Sequence, residues 1–92
     1  MQKQGLTYQA VRSQAQRIIK SLMVNEIIEF LSMNPEMVFD KERIYEKISG
    51  YDTEGDSRVV TELIRRIRNK IKRYTKHEYI ETVWGMGYKW KK

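Results

Sequence analysis

The chain has 92 residues, no cysteine and a formal net charge of +6, which allows one small domain with a modest core and excludes a disulfide framework or a thiolate metal site. The charge is uneven: residues 1–56 carry 7 Lys and Arg against 9 Asp and Glu, whereas residues 57–92 carry 11 against 3. No apolar run nears the roughly 20 residues a membrane span needs, and the N-terminus has no apolar core of signal-peptide length, so a cytoplasmic protein with no membrane partner is expected.

Taken in chain order, residues 1–20 are the least regular. Leu6, Tyr8, Val11 and then Ile18-Ile19 point to short antiparallel strands, although the Ala and Gln of this stretch also suit a helix. Over 24–33 the apolar set Val24, Ile27, Ile28 and Leu31 has helical spacing, and Asn34-Pro35 is a stop signal. Met37-Val38-Phe39 is a short apolar run. Asp40 then offers a side-chain oxygen to the free N–H groups of a second helix over 41–49, with Phe39 and Ile44 spaced as a hydrophobic staple and Ile44, Tyr45 and Ile48 as its buried face. Residues 50–56 form a polar loop punctuated by Gly50 and Gly55.

The third helix, over 57–74, has the clearest period. Val60, Ile64, Ile67, Ile71 and Tyr74 recur at intervals of four and three, and a turn of roughly 100° per residue sets Arg58, Glu62, Arg65, Arg66, Asn69 and Arg73 on the opposite side. Asp56 or Ser57 is placed to cap it. Tyr79 to Trp84 reads as a strand, Gly85-Met86-Gly87 as a turn and Tyr88 to Trp90 as the return strand, a β-hairpin over 79–90. The chain is therefore expected to be a single α+β domain: a winged helix-turn-helix with short N-terminal strands, three helices and a C-terminal hairpin wing.

That arrangement has a chemical reading. The major groove of duplex DNA admits one α-helix, guanidinium groups donate in a fork to guanine or to phosphate oxygens, and a hairpin can brace against the neighbouring backbone. Arginine outnumbers lysine toward the start of the third helix (Arg58, Arg65, Arg66, Arg68), which favours planar bidentate recognition. A solvated basic helix would carry the same charge, so composition alone leaves both open.

Other chemistries are poorly supported. Asp52, Glu54 and Asp56 alternate like the start of a calcium loop, but the glycine comes too early and Leu63 occupies the twelfth position. His77 stands alone in a polar turn, and no strained nucleophile turn or phosphate-binding glycine loop occurs, so neither catalysis, nor a metal, nor a cofactor is expected. Trp84, Tyr88 and Trp90 could stack on bases, but aromatic residues of a small hairpin more often pack on their own domain.

The segment DTEGDSRVVTELIRRIRNKIK followed by YIETVWGMGYKW resembles the effector domain of OmpR/PhoB-type response regulators, with their GD-x-R-x-V helix start, R-x-R-x-K motif and Y-I-x-T-V-x-G-x-G-Y hairpin. The resemblance is specific over 37–90 and extends more weakly upstream. It implies sequence-specific binding of double-stranded DNA, as direct repeats held by a head-to-tail pair, and transcriptional regulation. Arg58 matches an arginine that touches DNA, Arg65, Arg66 and Arg68 fall at or beside other contact positions, and Thr61 and Glu62 fall where base- or backbone-facing side chains are usual. Lys72, Arg73, Lys89 and the terminal lysines add phosphate attraction. The loop with Tyr51, Asp52 and Glu54 is similar to one that can touch RNA polymerase, and a winged helix serving only such a protein contact is the alternative function. Met23 stands where a helix-capping Thr is usual, and Trp84 where an Arg directed at the minor groove is frequent. The segment that matches includes no receiver domain, so the expectation is a piece of a longer regulator, with a stand-alone domain as the alternative.

Overall fold

The computed structural model describes residues 7–51 and 55–92. Three helices, α1 (Tyr8–Ser32), α2 (Lys41–Ile48) and α3 (Arg58–Lys72), precede an antiparallel hairpin of β1 (Ile80–Val83) and β2 (Gly87–Trp90). The second and third helices and the hairpin lie where periodicity and caps set them.

The expected N-terminal strands are not formed: from Tyr8 onward the chain is helix, and residues 1–6 lie outside the described residues. The reason is local. Between Thr7 and Asn34 there is neither Gly nor Pro, residues 9–20 are rich in Ala, Gln and Arg, and the Thr7 hydroxyl accepts from the Ala10 N–H at 3.1 Å as an N-cap. Met23 cannot cap as threonine would, so nothing interrupts the helix there, and α1 runs 25 residues to a C-cap at Met33, just before Pro35. Tyr8, Val11, Ile18 and Ile19, residues that suggested strands, are exposed on its outer side.

The core is wholly apolar. Met23, Val24, Ile27 and Leu31 of α1 meet Ile44 and Ile48 of α2, Val60, Leu63, Ile64 and Ile67 of α3, and Ile80 of β1. Leu63 completes the α3 stripe, and Ile71 packs against its edge. Tyr74, expected on the same stripe, is 85% exposed because α3 ends at Lys72 and the helical period ends with it. Asp40 caps α2 as expected, its Oδ1 accepting from the Arg43 N–H at 2.8 Å.

The hairpin is tied to the helices by backbone. Phe39 and Tyr88 exchange two N–H to O bonds of 2.9 Å, and the Glu36 N–H donates to the Trp90 carbonyl at 2.8 Å, so the segment before α2 lies along β2 as a third edge. Gly87, with φ 145°, permits this approach, because a Cβ there would meet the Phe39 carbonyl and lie 2.8 Å from the Asp40 Cα.

Candidate nucleic-acid interface

The face of α3 opposite the core is exposed, and its charges are held in forks. Ser57, the N-cap residue, makes no side-chain cap bond. Asp56 does the work instead, its Oδ1 accepting from the Arg58 N–H at 2.9 Å. The same carboxylate takes the Arg58 side chain through Nε (3.0 Å) and Nη2 (2.8 Å), leaving Nη1 directed away from the pair; the Arg58 side chain is 86% exposed. One turn on, Glu62 holds two arginines at once: Arg65 Nη2 at 2.9 and 3.0 Å and Arg66 Nε at 2.7 Å. A guanidinium has five N–H donors in a plane, so each of these arginines keeps outward donors for a phosphate or a guanine edge.

These pairs fix protonation as well as position. Hydrogen bonds from the Arg58 side chain and backbone hold the Asp56 carboxyl below the usual carboxylate range, and those from Arg65 and Arg66 do the same for Glu62. For such lowered groups the stabilisation is complete above the ordinary carboxylate range and is lost as pH falls through the lowered value. Asp56→Ala is therefore expected to lower the melting temperature at neutral pH and to flatten its acid decline. Melting curves of both proteins from neutral to strongly acidic pH test this, and parallel curves would remove the cap from the account.

Arg68 is placed differently from its neighbours. Its guanidinium is partly buried, donates to the Ile80 carbonyl (3.1 Å through Nη2) and to the Thr82 Oγ1 (2.7 Å), and lies 5.8 Å from the centre of the Tyr88 ring. It is the joint between α3 and the hairpin. Its sequence angle, about 80° from Val60, already put it off the outer face. Lys89 is likewise drawn inward: its ammonium pairs with Glu36 at 3.3 Å and approaches Glu81 at 3.8 Å, and its side chain is only 26% exposed.

Between α3 and the hairpin lies a shallow groove of about 460 Å³ lined by Arg58, Thr61, Glu62, Arg65, Lys72 and Tyr88, among others. The structure thus brings most of the sequence-predicted α3 residues to one surface. Arg73, the C-cap of α3, is exposed beyond that groove. Tyr51 is exposed at the entry of the α2–α3 loop, whereas Asp52 and Glu54 lie outside the described residues.

Among the hairpin aromatics, Trp90 stacks on Tyr79 at 5.2 Å and Tyr88 packs against the core edge, as expected of wing aromatics. Trp84 does not. It is 89% exposed at the tip, beyond the last paired residues Val83 and Gly87, where no core surface reaches it. The double fork on Glu62 was readable as i,i+3 and i,i+4 charge spacing but is absent from the sequence reading.

The model of the family described as "Transcriptional regulatory protein, C terminal" matches residues 15–90. The heme response regulators HssR of Staphylococcus aureus strains JH9 and Newman are each 44% identical to the chain over 64 residues, which is 70% of this chain and 29% of theirs. Two mutant forms of RitR superpose with TM-scores of 0.62 and 0.63 at 26% identity, over 76% of this chain and 31% and 30% of theirs. The chain thus spans under a third of the length of these proteins. Among the described residues, no helix is long and apolar enough to cross a membrane.

Proposed function

Given that the chain belongs to the family of C-terminal domains of transcriptional regulatory proteins, the DNA-binding effector domains of OmpR/PhoB-type response regulators, we propose that it reads a specific duplex sequence by laying α3 in the major groove with the hairpin beside it. The observation that carries this is the exposed α3 face, where Arg58, Arg65 and Arg66 are each oriented by a carboxylate and keep outward donors. Preorienting long side chains reduces the entropy lost when they bind, and Glu62 is itself placed to accept from cytosine N4.

Thr61 and Lys72 flank the same groove, and Arg73 adds phosphate attraction. Arg68 acts by fixing the hairpin against α3, and Lys89 by pinning β2 to the segment before α2. Trp84 at the tip reaches the neighbouring backbone or minor groove as an aromatic surface, where a plain cation would act through charge. Two copies bind head to tail on direct repeats, and the loop that begins at Tyr51 meets RNA polymerase.

Selection of bound duplexes from a random library by the purified chain, at moderate salt, tests the reading. The expected result is one short motif, and Arg58→Ala should relax it at one or two adjacent base pairs while leaving the rest intact. Binding that fades with salt and enriches no motif would overturn specific readout and favour a winged helix used for protein contact.

A further inference from the structure

The face of α1 that buries Val24, Ile27 and Leu31 continues toward the N-terminus as Ser13, Gln16, Arg17 and Lys20. The helix therefore presents an apolar side to the core and, farther out, a polar and basic side in the same direction. There it faces the outer flank of α3 across an open cleft of about 820 Å³. Six cations line this cleft, Arg17 and Lys20 from α1, Arg65, Arg66 and Lys70 from α3, and Arg73 at the C-cap of α3, and no carboxylate is among the lining residues. Arg17, Lys20, Lys70 and Arg73 have no carboxylate partner among the described residues.

Cations gathered on two facing helices with no carboxylate between them make a local positive field that attracts a polyanion. The geometry identifies which one. A helix in the major groove has a sugar-phosphate strand on each side of it. On α3, the groove lined by Arg58, Lys72 and Tyr88 lies on the hairpin side, and the six-cation cleft lies on the α1 side.

We propose that the N-terminal half of α1 is a second DNA-contacting element, and that Arg17 and Lys20 close with α3 on the phosphate backbone of the strand away from the hairpin. This rests on α3 occupying the major groove as argued above. The contact carries no base information. It lengthens the footprint and strengthens binding to any duplex equally.

The test uses the full chain and two duplexes, the selected motif and a scrambled one, titrated across a range of salt. Arg17→Ala with Lys20→Ala keeps the helix, because both positions are exposed and alanine is the strongest helix former. The expected result is an affinity about tenfold lower on both duplexes, a slope of log K against log salt shallower by about 1 to 2, and an unchanged selected motif. The opposite change, Ser13→Lys with Gln16→Lys, should raise affinity and steepen the slope.

An unchanged slope in the first variant, with the wild type still binding, would overturn the α1 contact and leave the α3 reading intact. If the wild type binds neither duplex, the α3 reading itself fails. Sedimentation of both proteins accompanies the titration, and a change of oligomeric state in the variant would make the cleft a contact between copies and overturn the assignment.

Discussion

Replacing Gly87 by alanine is expected to cost about 3 kcal/mol or more, a large part of the 5–15 kcal/mol that holds a small domain together. At φ 145° an L side chain is strained in any surroundings, and here the added Cβ would lie 2.7 Å from the Phe39 carbonyl carbon and 2.8 Å from the Asp40 Cα. Those are backbone atoms with no rotamer to give way. The strands must part, and the two 2.9 Å bonds between Phe39 and Tyr88 part with them. Gly85→Ala is the control: φ is 79° but the space is open, so only the left-handed backbone is penalised, by roughly 1–2 kcal/mol. Urea denaturation of both variants provides the comparison. Equal midpoints would mean that the hairpin is not joined to the segment before α2.

Reversing Arg65 and Arg66 together to glutamate is expected to weaken duplex binding at least about a hundredfold, since each guanidinium fork is worth roughly 1–3 kcal/mol of readout and two new anions repel the phosphates. The fold should survive, because both side chains are exposed and among the described residues their hydrogen-bonded side-chain partner is Glu62. Three carboxylates would then share one patch, so the melting temperature falls slightly, while circular dichroism still reports the wild-type helix content. Titration of the selected duplex gives the affinity. Retained affinity would mean that DNA meets another face, and a contact between polymerase and the α2–α3 loop should be indifferent to the change.

The parts of the fold that were legible share one property: the apolar residues that set their period are buried or packed on the core. In α2 and α3 the period of the stripe and the caps at Asp40 and Asp56 agree, and in the hairpin Gly85 and Gly87 mark the two left-handed positions. The N-terminal half of α1 misleads because Tyr8, Val11, Ile18 and Ile19 are exposed, so an apolar pattern there reports no interior. Its helical character lies in what is missing, glycine, proline and a cap at Met23. In the site, exposure of the arginine face followed from angle alone. Angle also set Arg68 off that face, but not what it binds: its partners, a carbonyl on Ile80 and a hydroxyl on Thr82, lie 12 and 14 residues away and come near only once the hairpin folds back.

α1 is gripped at one end only. From Met23 to Leu31 it is held in the core over about 12 Å, and from Met23 back to Tyr8 it projects about 22 Å further. A rod held this way is a lever with a mechanical advantage near two. A sideways force at Tyr8 reaches the packed end roughly doubled, and that end bears on Ile64 and Ile67 through the same core that positions α3. A load on the outer arm is therefore borne by the residues that also pack α3, whereas the hairpin is clamped directly to α3 by Arg68 and to the segment before α2 by Phe39.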